Sequence, residues 1–497
     1  MNVHSALSGR RGVRLAIFSV AAFMGALDSF IVNVSLRSIG PALGHPSLPA
    51  LSWVLNAYTI IVAALLVPAG SLSDRLGKRR CFVAGLTIFS LASLGCALAP
   101  ALWLLIALRS VQALGAAIQA PASLGLILTT LPEESRTSSI GVWTTAGSLG
   151  TVSGPVLGGL LTAISWRWIF IVNVPIGLAC VIATLRAVPE LRHDSRAKIP
   201  DLASAALAAA AIGLLALALV QAESWGWGSP GILGCLAGTL IAGTGVVLRT
   251  ARSDAPLVNP GLLRDFHFGL ANVEMLLVSV TFGVQLLGVN LWMQQVRGWS
   301  AIQTGWAIAP SPAIIAATLY AMRRWGSRLR PQLTASLGMT LVGGGGITLA
   351  VLTSSSRGYV AGVLPGWLLI GAGVGLSIPT IIASGSATLP AGQASTGSAV
   401  IQTSRWVGSA IGVALLVILL GPAGMSAHRF DVALWWTALP SIAGAALALA
   451  NLPAARVQAG VSGEERHSST STHQPHAETL PGLHRANGGQ SPDPENS

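Results

Sequence analysis

Long apolar segments recur along the chain from Val13 to Leu452, and short polar segments separate them. An α-helix of about 20 apolar residues is long enough to cross the hydrocarbon core of a bilayer. The pattern therefore predicts an all-α polytopic membrane protein with fourteen transmembrane helices. We place these helices near residues 14–36, 51–69, 81–99, 102–127, 139–163, 168–188, 202–221, 231–249, 268–292, 303–321, 333–352, 361–386, 394–420 and 432–452.

The composition agrees with this class and leaves room for no soluble catalytic domain of usual size. The 497 residues are 52 % hydrophobic and only 9 % charged, with a mean hydropathy of +0.68. A soluble domain carries roughly 25 % charged residues. The four cysteines have no metal-ligand spacing, so we interpret them as small buried side chains and expect no metal site.

The positive charges alternate between the two sides of the predicted membrane. Of the 29 Lys and Arg residues, 22 lie in one alternate set of connections and 5 in the other. Cytoplasmic connections carry an excess of Lys and Arg, which explains the net charge of +12 without a nucleic-acid partner. We therefore expect a multi-pass protein of the cell (inner) membrane with both termini in the cytoplasm.

A weak internal repeat predicts the domain organisation. The basic turn SLSDRLGKRR follows the second helix, and a similar turn, MRRWGSRLR, follows the tenth. Paired six-helix halves are typical of secondary transporters that work by alternating access. We predict a six-helix bundle at 1–200, an inserted helix pair at 201–250, a second six-helix bundle at 251–455 and a disordered cytoplasmic tail at 456–497.

The stretch GSLSDRLGKRR, residues 70–80, carries more than positive charge. An ordinary basic loop would explain its last three cations but not Gly70, Asp74 and Gly77. Asp74 can accept hydrogen bonds at the start of a helix, and Gly77 suits a tight turn. The stretch resembles the loop signature of the major facilitator superfamily, G-x-L-x-D-R-x-G-R-[KR]-[RK]. This resemblance implies a conformational gate formed by Gly70, Asp74, Arg75, Gly77 and Arg79.

The stretch GSLGTVSGPVLGG, residues 147–159, places glycines three and four residues apart on one face of the fifth helix. Small faces let helices pack closely in lipid, and the proline can bend the helix. By itself this predicts only a packing helix. Its GPxxGG element resembles the signature of the antiporter branch of the superfamily, which implies export and a position between the two halves. The residues concerned are Gly150, Gly154, Pro155, Gly158 and Gly159.

Two charged residues lie inside predicted helices at matched depth. Asp28 and Arg109 each lie seven or eight residues from the same predicted membrane surface, which corresponds to roughly 10–12 Å at 1.5 Å per residue. Matched depth permits a pair or a water-bridged network. The alternative is two unrelated polar residues that are satisfied by packing. Charges inside the membrane are costly and mark functional sites by default, so we favour function.

The segments around both charges resemble motifs of the fourteen-helix drug/proton antiporter family. LDSFIVNVSL, residues 27–36, is similar to the first-helix motif, and LRSVQALGAA, residues 108–117, is similar to the fourth-helix motif. The resemblance implies a major facilitator fold with two six-helix bundles plus two inserted helices. It also implies that proton coupling and substrate binding involve Asp28, Arg109, Asn33, Gln112 and Arg405.

The function implied is proton-coupled export of amphipathic small molecules such as drugs, dyes and antibiotics, by alternating access. Protonation of Asp28 would remove the charge that attracts a cationic substrate, so competition for one site is the expected coupling. The partners expected are a small-molecule substrate, protons and the lipid bilayer, with no cofactor and a monomeric state. A dedicated exporter of one metabolite or self-made antibiotic is an alternative, and a non-transporting sensor is another. An enzyme is disfavoured because the predicted spans hold no histidine.

Overall fold

The structure is a computed structural model that describes residues 3–44, 46, 48–190, 201–250, 252–253, 256–325, 330–355, 358–387, 389–420 and 427–450. Within these residues it contains fourteen long helices and no β-strand, which confirms the predicted fold class. They are α1 (Val3–Ala42), α2 (Leu48–Leu76), α3 (Lys78–Leu98), α4 (Leu102–Thr130), α5 (Glu133–Ile164), α6 (Asn173–Ala187), α7 (Leu202–Trp225), α8 (Pro230–Thr250), α9 (Phe266–Leu291), α10 (Pro310–Trp325), α11 (Pro331–Ser355), α12 (Leu364–Ala387), α13 (Ala394–Leu420) and α14 (Ala427–Ala450).

Short helical turns adjoin several of these helices. Trp168–Ile171 precedes α6, Ala301–Ile308 precedes α10, Tyr359–Gly362 precedes α12, and a π-helical turn, Trp292–Val296, continues α9. Because α9 begins at Phe266, His267 falls in its first turn, whereas the sequence prediction kept every histidine outside the spans. The predicted tail, residues 456–497, lies outside the described residues.

Thirteen segments of the described residues are long and apolar enough to cross a membrane. The remaining long helix, α5, has 32 residues and is rich in Gly, Ser and Thr. Such a composition suits a helix that contacts other helices on several sides, because small residues let helix backbones approach closely.

The basic turn after α2 is mostly helical, which corrects the loop that the sequence predicted at residues 70–80. Helix α2 continues to Leu76, and α3 already begins at Lys78. Gly77 joins them with φ of 100°, a left-handed conformation that glycine adopts without steric cost. The helix continues because the face of its last turns packs against another helix, as described below.

The helices pack as two bundles. In the first, α1 packs along α5, and α4 contacts both α2 and α3. In the second, α9 packs along α13, and α11 contacts both α12 and α14. Helices α7 and α8 pack together, and α7 also contacts α2 and α13. The predicted division at 1–200, 201–250 and 251–455 stays a prediction.

Matching glycine contacts occur at equivalent helix pairs of the two bundles. A Cβ added to Gly85 on α3 would lie 2.9 Å from the carbonyl oxygen of Gly115 on α4. A Cβ added to Gly338 on α11 would lie 2.8 Å from the carbonyl oxygen of Gly373 on α12. Helices α11 and α12 are the counterparts of α3 and α4 when eight helices are counted onward. The repeat inferred from two basic turns is thus expressed in close backbone packing.

The two bundles meet along two seams. Helix α13 packs against α2 and α4, and α5 packs against α10 and α12. One end of the molecule holds the α2–α3 junction and the first turn of α13. We call it the latch end. There, a Cβ on Gly70 would lie 2.7 Å from both Ala399 Cβ and the Ser395 carbonyl oxygen, so α2 and α13 are in backbone contact.

Candidate functional site

A cavity of about 240 Å³ lies between the two bundles. Its wall is built mainly of small, hydroxyl-bearing and aromatic side chains from both bundles. The aromatic members are Phe30, Tyr58, Trp143, Phe282, Trp367 and Trp406. A mostly apolar cavity with a few convergent polar groups is typical of small-molecule binding sites.

Asp28 is fully buried at the centre of a network that joins α1, α4 and α6. Its Oδ2 accepts a hydrogen bond from Arg109 Nη1 at 2.5 Å. Its Oδ1 accepts from Gln112 Nε2 and from Asn173 Nδ2, each at 2.9 Å. All four side chains are 0 % exposed. The structure thus brings Asp28, Arg109 and Gln112 together, as their predicted depths allow.

Arg109 is held by further contacts that fix its position. Its Nη1 also donates to Gln112 Oε1 at 2.8 Å, and its Nε donates to the Val54 carbonyl oxygen at 3.3 Å. Its guanidinium carbon lies 4.2 Å from the centre of the Tyr58 ring. A buried pair of this kind is strongly coupled, because removing one partner costs about 3–5 kcal/mol.

Tyr58 separates this network from the cavity. The Tyr58 ring lies on the cavity wall, whereas Asp28 and Arg109 are not among the described residues that line it. The expectation that Asp28 itself attracts the substrate therefore does not fit this conformation. The structural reason is that the Asp28 side chain points to α4 and α6, inside the first bundle, rather than to the space between the bundles.

The glycines of α5 hold α1 in place behind Asp28. A Cβ on Gly154 would lie 2.7 Å from Phe30 Cβ, and a Cβ on Gly158 would lie 2.9 Å from the Ile31 carbonyl oxygen. A Cβ on Gly150 would lie 2.9 Å from the Leu27 backbone nitrogen. This face packs within the first bundle, which corrects the expected position between the two halves.

Three further predicted residues lie on α1 and α5. Gly159 is half-buried on α5. The side chains of Asn33 on α1 and Pro155 on α5 lie outside the described part of the structure. Their predicted roles stay predictions.

Asp74 joins the two bundles at the latch end. Its Oδ1 accepts from the Ser395 backbone N–H at 3.0 Å, and its Oδ2 accepts from the Thr396 backbone N–H at 2.7 Å and from Thr396 Oγ1 at 2.8 Å. Lys78 Nζ lies 2.8 Å from Asp74 Oδ1. A carboxylate at the first turn of α13 is favoured by the free N–H groups and by the helix dipole.

The other predicted gate residues surround Asp74. Gly70 forms the α2–α13 contact and Gly77 forms the turn, as given above. Arg75 Nη2 donates to the Pro256 carbonyl oxygen at 3.3 Å, which ties α2 to the segment before α9. Arg79 Nη2 donates to the Leu185 carbonyl oxygen at 2.8 Å, and Arg79 lies 3.5 Å from a Glu190 carboxylate oxygen. Arg79 therefore supports the first bundle rather than the contact between bundles.

Arg405 lies apart from the Asp28 network. It projects from α13 and lines the cavity on the side of the second bundle. The structure thus separates the predicted coupling and substrate residues into a buried group in the first bundle and a cavity-facing arginine in the second.

Sequence reasoning missed Asn173, Ser93 and Tyr58. Asn173 Nδ2 bridges Asp28 to Ser93 Oγ, to which it donates at 3.1 Å. The signal was available for Asn173, because it is a lone amide in the apolar run FIVNVPIG, as Asp28 is a lone acid in its own run. Nothing in the sequence singles out Ser93 or Tyr58, since hydroxyls and aromatic rings are common in spanning helices.

The chain is similar over most of its length to curated resistance and export proteins. It is 30 % identical over 420 residues to the tetracenomycin C resistance and export protein of Streptomyces glaucescens, which covers 84 % of this chain and 77 % of that protein. It is 33 % identical over 434 residues to the cephamycin export protein of Amycolatopsis lactamdurans, covering 84 % and 88 %. It is 34 % identical over 402 residues to multidrug resistance protein Stp of Mycobacterium tuberculosis, covering 79 % and 73 %.

The fold and the family agree with these similarities. The crystal structure of a human organic anion transporter superposes with a TM-score of 0.58 at 16 % identity, over 88 % of this chain and 98 % of that one, which concerns the fold alone. A family model described as the Major Facilitator Superfamily matches residues 18–413. The chain therefore belongs to the major facilitator superfamily and is a multi-pass membrane transporter rather than an enzyme.

Proposed function

We propose that this transporter exports amphipathic small molecules, drugs and antibiotics among them, in exchange for protons. Its similarity to proteins named for antibiotic export and multidrug resistance supports the cargo class. The observation that carries the proton coupling is the buried Asp28–Arg109 pair, because Asp28 is a carboxylate that is 0 % exposed and can gain or lose one proton.

Protonation of Asp28 would change the contacts within this network. When Asp28 is ionised, it accepts hydrogen bonds from α4 and α6 and neutralises Arg109. When it is protonated, Arg109 loses its counter-ion inside a low-dielectric bundle, and an uncompensated buried charge is unstable. Arg109 then favours a rearrangement in which it finds another partner or water. Its contact with the Tyr58 ring passes that rearrangement to the cavity wall.

The hydrogen bonds from Ser395 and Thr396 to Asp74, which we call the latch, are the second element of alternating access in this proposal. With Asp74 bonded to the first turn of α13, the bundles are held together at the latch end. Hydrogen bonds to a charged group contribute about 1.5–3 kcal/mol each, so the latch can bias the equilibrium between two conformations without locking it. We place this end in the cytoplasm, in line with the distribution of positive charge.

The proposal is tested in everted membrane vesicles that contain the full chain. An imposed pH gradient, acidic inside, is expected to drive uptake of at least one amphipathic dye from a panel, and collapse of the gradient with an ionophore is expected to stop it. Vesicles from cells that lack the protein are the control. Uptake that survives the ionophore and requires ATP would contradict proton coupling.

A dedicated exporter of one compound is the second candidate. Two of the similar proteins carry the name of a single antibiotic, which favours it. A drug-susceptibility panel with and without expression of the chain separates the two. A broad exporter is expected to protect against several unrelated compounds, and a dedicated one against a single chemical class.

A further inference from the structure

Arg405 is a cation with no partner on the cavity wall. Among the described residues that line the cavity, Arg405 is the only one with a charged side chain. Its guanidinium forms no hydrogen bond or ion pair with the described residues. The acids Asp28 and Asp74 cannot serve it, because they are already bonded to Arg109 and Lys78. The other buried acid among the described residues, Glu274 on α9, is not one of the residues that line the cavity. An arginine is always charged and carries five N–H donors in a planar fork. It therefore leaves a charge in the cavity that a ligand could neutralise.

A second donor without a partner lies beside it. Gln402 is three residues before Arg405 on α13, so the two side chains lie on the same helix face. Gln402 also lines the cavity, is 3 % exposed, and its Nε2 has no hydrogen-bond partner. A buried polar group without a partner costs free energy. A ligand group that accepts from both Gln402 and Arg405 would remove that cost.

The space across the cavity is open at the equivalent position. Gly408 on α13 matches Gly150 on α5 in the repeat, since each packs its face on the first helix of its own bundle. Arg405 lies three residues before Gly408, and Gly147 lies three residues before Gly150. Gly147 lines the cavity, and a Cβ added to it would meet nothing within 4 Å. The first bundle thus has open space on the cavity wall at the position that matches Arg405.

We infer that the central cavity binds amphipathic organic anions, with Arg405 and Gln402 holding the anionic group and the aromatic wall holding the apolar part. The inference rests on the proposed export function and names its substrate class. A carboxylate matches the guanidinium fork in a bidentate manner. This class differs from the cationic substrate considered in the sequence analysis, because the acid expected to attract such a substrate, Asp28, is bonded to Arg109 and does not line the cavity.

The test is ligand binding by the purified full chain in zwitterionic lipid nanodiscs. The probes are dansylglycine, its neutral methyl ester and a dansyl trimethylammonium, which share one fluorophore and differ in charge. Trp143, Trp367 and Trp406 line the cavity and would transfer excitation energy to a bound dansyl group. Wild type is expected to bind dansylglycine at least about tenfold more tightly than the ester, the ratio that a charged hydrogen bond supplies.

The variants separate charge from shape. Arg405→Gln is expected to remove the preference for dansylglycine while it leaves the affinity for the ester within about twofold, since the apolar contacts remain. Arg405→Lys is expected to keep part of the preference, because it keeps the charge and loses the bidentate fork, and it controls for a folding defect. Arg167→Gln, a change in a loop arginine that stacks on Trp166, is expected to bind all three probes like wild type.

Two results would overturn the inference. One is a wild-type preference for the cationic probe or no preference at all, and the other is an equal loss of all three affinities in Arg405→Gln. Anionic phosphatidylglycerol is added in a further arm. Competition by this lipid with dansylglycine would identify a lipid as the source of the anion, and no competition would favour a soluble substrate; the anion site stands in both cases.

The outcome is independent of proton coupling. Binding in nanodiscs needs no gradient, so an anion preference without gradient-driven uptake in vesicles would support this inference and contradict the proposed coupling. Gradient-driven uptake without a charge preference in binding would support the proposed coupling and contradict this inference.

Discussion

In the first bundle, Asp28 on α1 pairs with Arg109 on α4, six residues before Gly115. The second bundle repeats the glycine contacts, with Gly373 in the place of Gly115. The residue six positions before Gly373 is Trp367, where the first bundle has Arg109. The position that matches Asp28 is Thr281, which lies five residues after Leu276, as Asp28 lies five residues after Phe23. Trp367 Nε1 donates to the Ile308 carbonyl oxygen at 3.0 Å and Thr281 is uncharged, so this site of the second bundle carries no ion pair.

We propose that this difference gives the two bundles separate tasks. The first bundle keeps its charges paired and buried, where a proton can change the network without direct contact with cargo. The second bundle presents an unpaired cation to the cavity, where cargo can reach it. Because both bundles share the same backbone packing, the division depends on a few side chains and can be altered by single substitutions.

The largest effect is expected from removing the ionisable group of the first bundle. Asp28→Asn keeps the shape and much of the hydrogen bonding but cannot carry a proton or neutralise Arg109, so gradient-driven dye uptake in everted vesicles should fall to background. Thr281→Val, at the matching position of the second bundle, should retain most of the uptake. An equal loss of dye uptake in both variants would contradict the proposed difference between the bundles.

The shared glycine packing predicts a loss of stability in both bundles. Gly154→Ala places a Cβ 2.7 Å from Phe30 Cβ, and Gly412→Ala places one 3.1 Å from the Val280 carbonyl carbon. Each should lower the free energy of unfolding by about 1–3 kcal/mol, as overpacking does. The melting temperature of the purified protein measures this. Gly147→Ala, with nothing within 4 Å of the new Cβ, should melt like wild type.

A moderate effect is expected at the latch, where the two bundles touch. Asp74→Asn weakens the bonds to the Ser395 and Thr396 N–H groups, so the initial rate of uptake should fall several-fold while equilibrium dye binding is unchanged. The matched control is Asp265→Asn, which alters a helix-capping carboxylate that accepts from the Phe268 N–H and joins no bundles. A parallel loss of binding and rate in Asp74→Asn would contradict a role in gating.

The smallest effect is expected in the inserted pair, outside both bundles. Asp201 accepts hydrogen bonds from Arg249 and caps α7, and these bonds hold the pKa of its carboxyl well below its ordinary range. A lowered pKa stabilises the folded protein at neutral pH, and this contribution is lost as the pH falls through the folded-state pKa. Asp201→Asn should therefore lower the melting temperature slightly at pH 7, with the difference shrinking in acid. A shift larger than that of Gly154→Ala would show that the inserted pair supports the bundles.

The spanning helices and the ion pair could be predicted from sequence for the same physical reason. A chain in lipid must satisfy its backbone within helices and must bring buried charges together, so apolar length and charge depth are strong signals. The end of α2 could not be predicted, because its last turns are held by contact with α13, far away in sequence. The place of the α5 glycines against α1 was likewise a property of tertiary packing, since a small face does not reveal which helix it meets.

Proton movement through Asp28 is the central step of the proposed exchange. Purified wild-type and Asp28→Asn proteins are reconstituted in liposomes that enclose a pH-sensitive dye, and a compound transported in the vesicle assay is added outside. Compound flux in wild type is expected to be accompanied by proton flux in the opposite direction, and both are expected to vanish in Asp28→Asn. Compound flux without proton movement in wild type, or unchanged proton movement in Asp28→Asn, would contradict it.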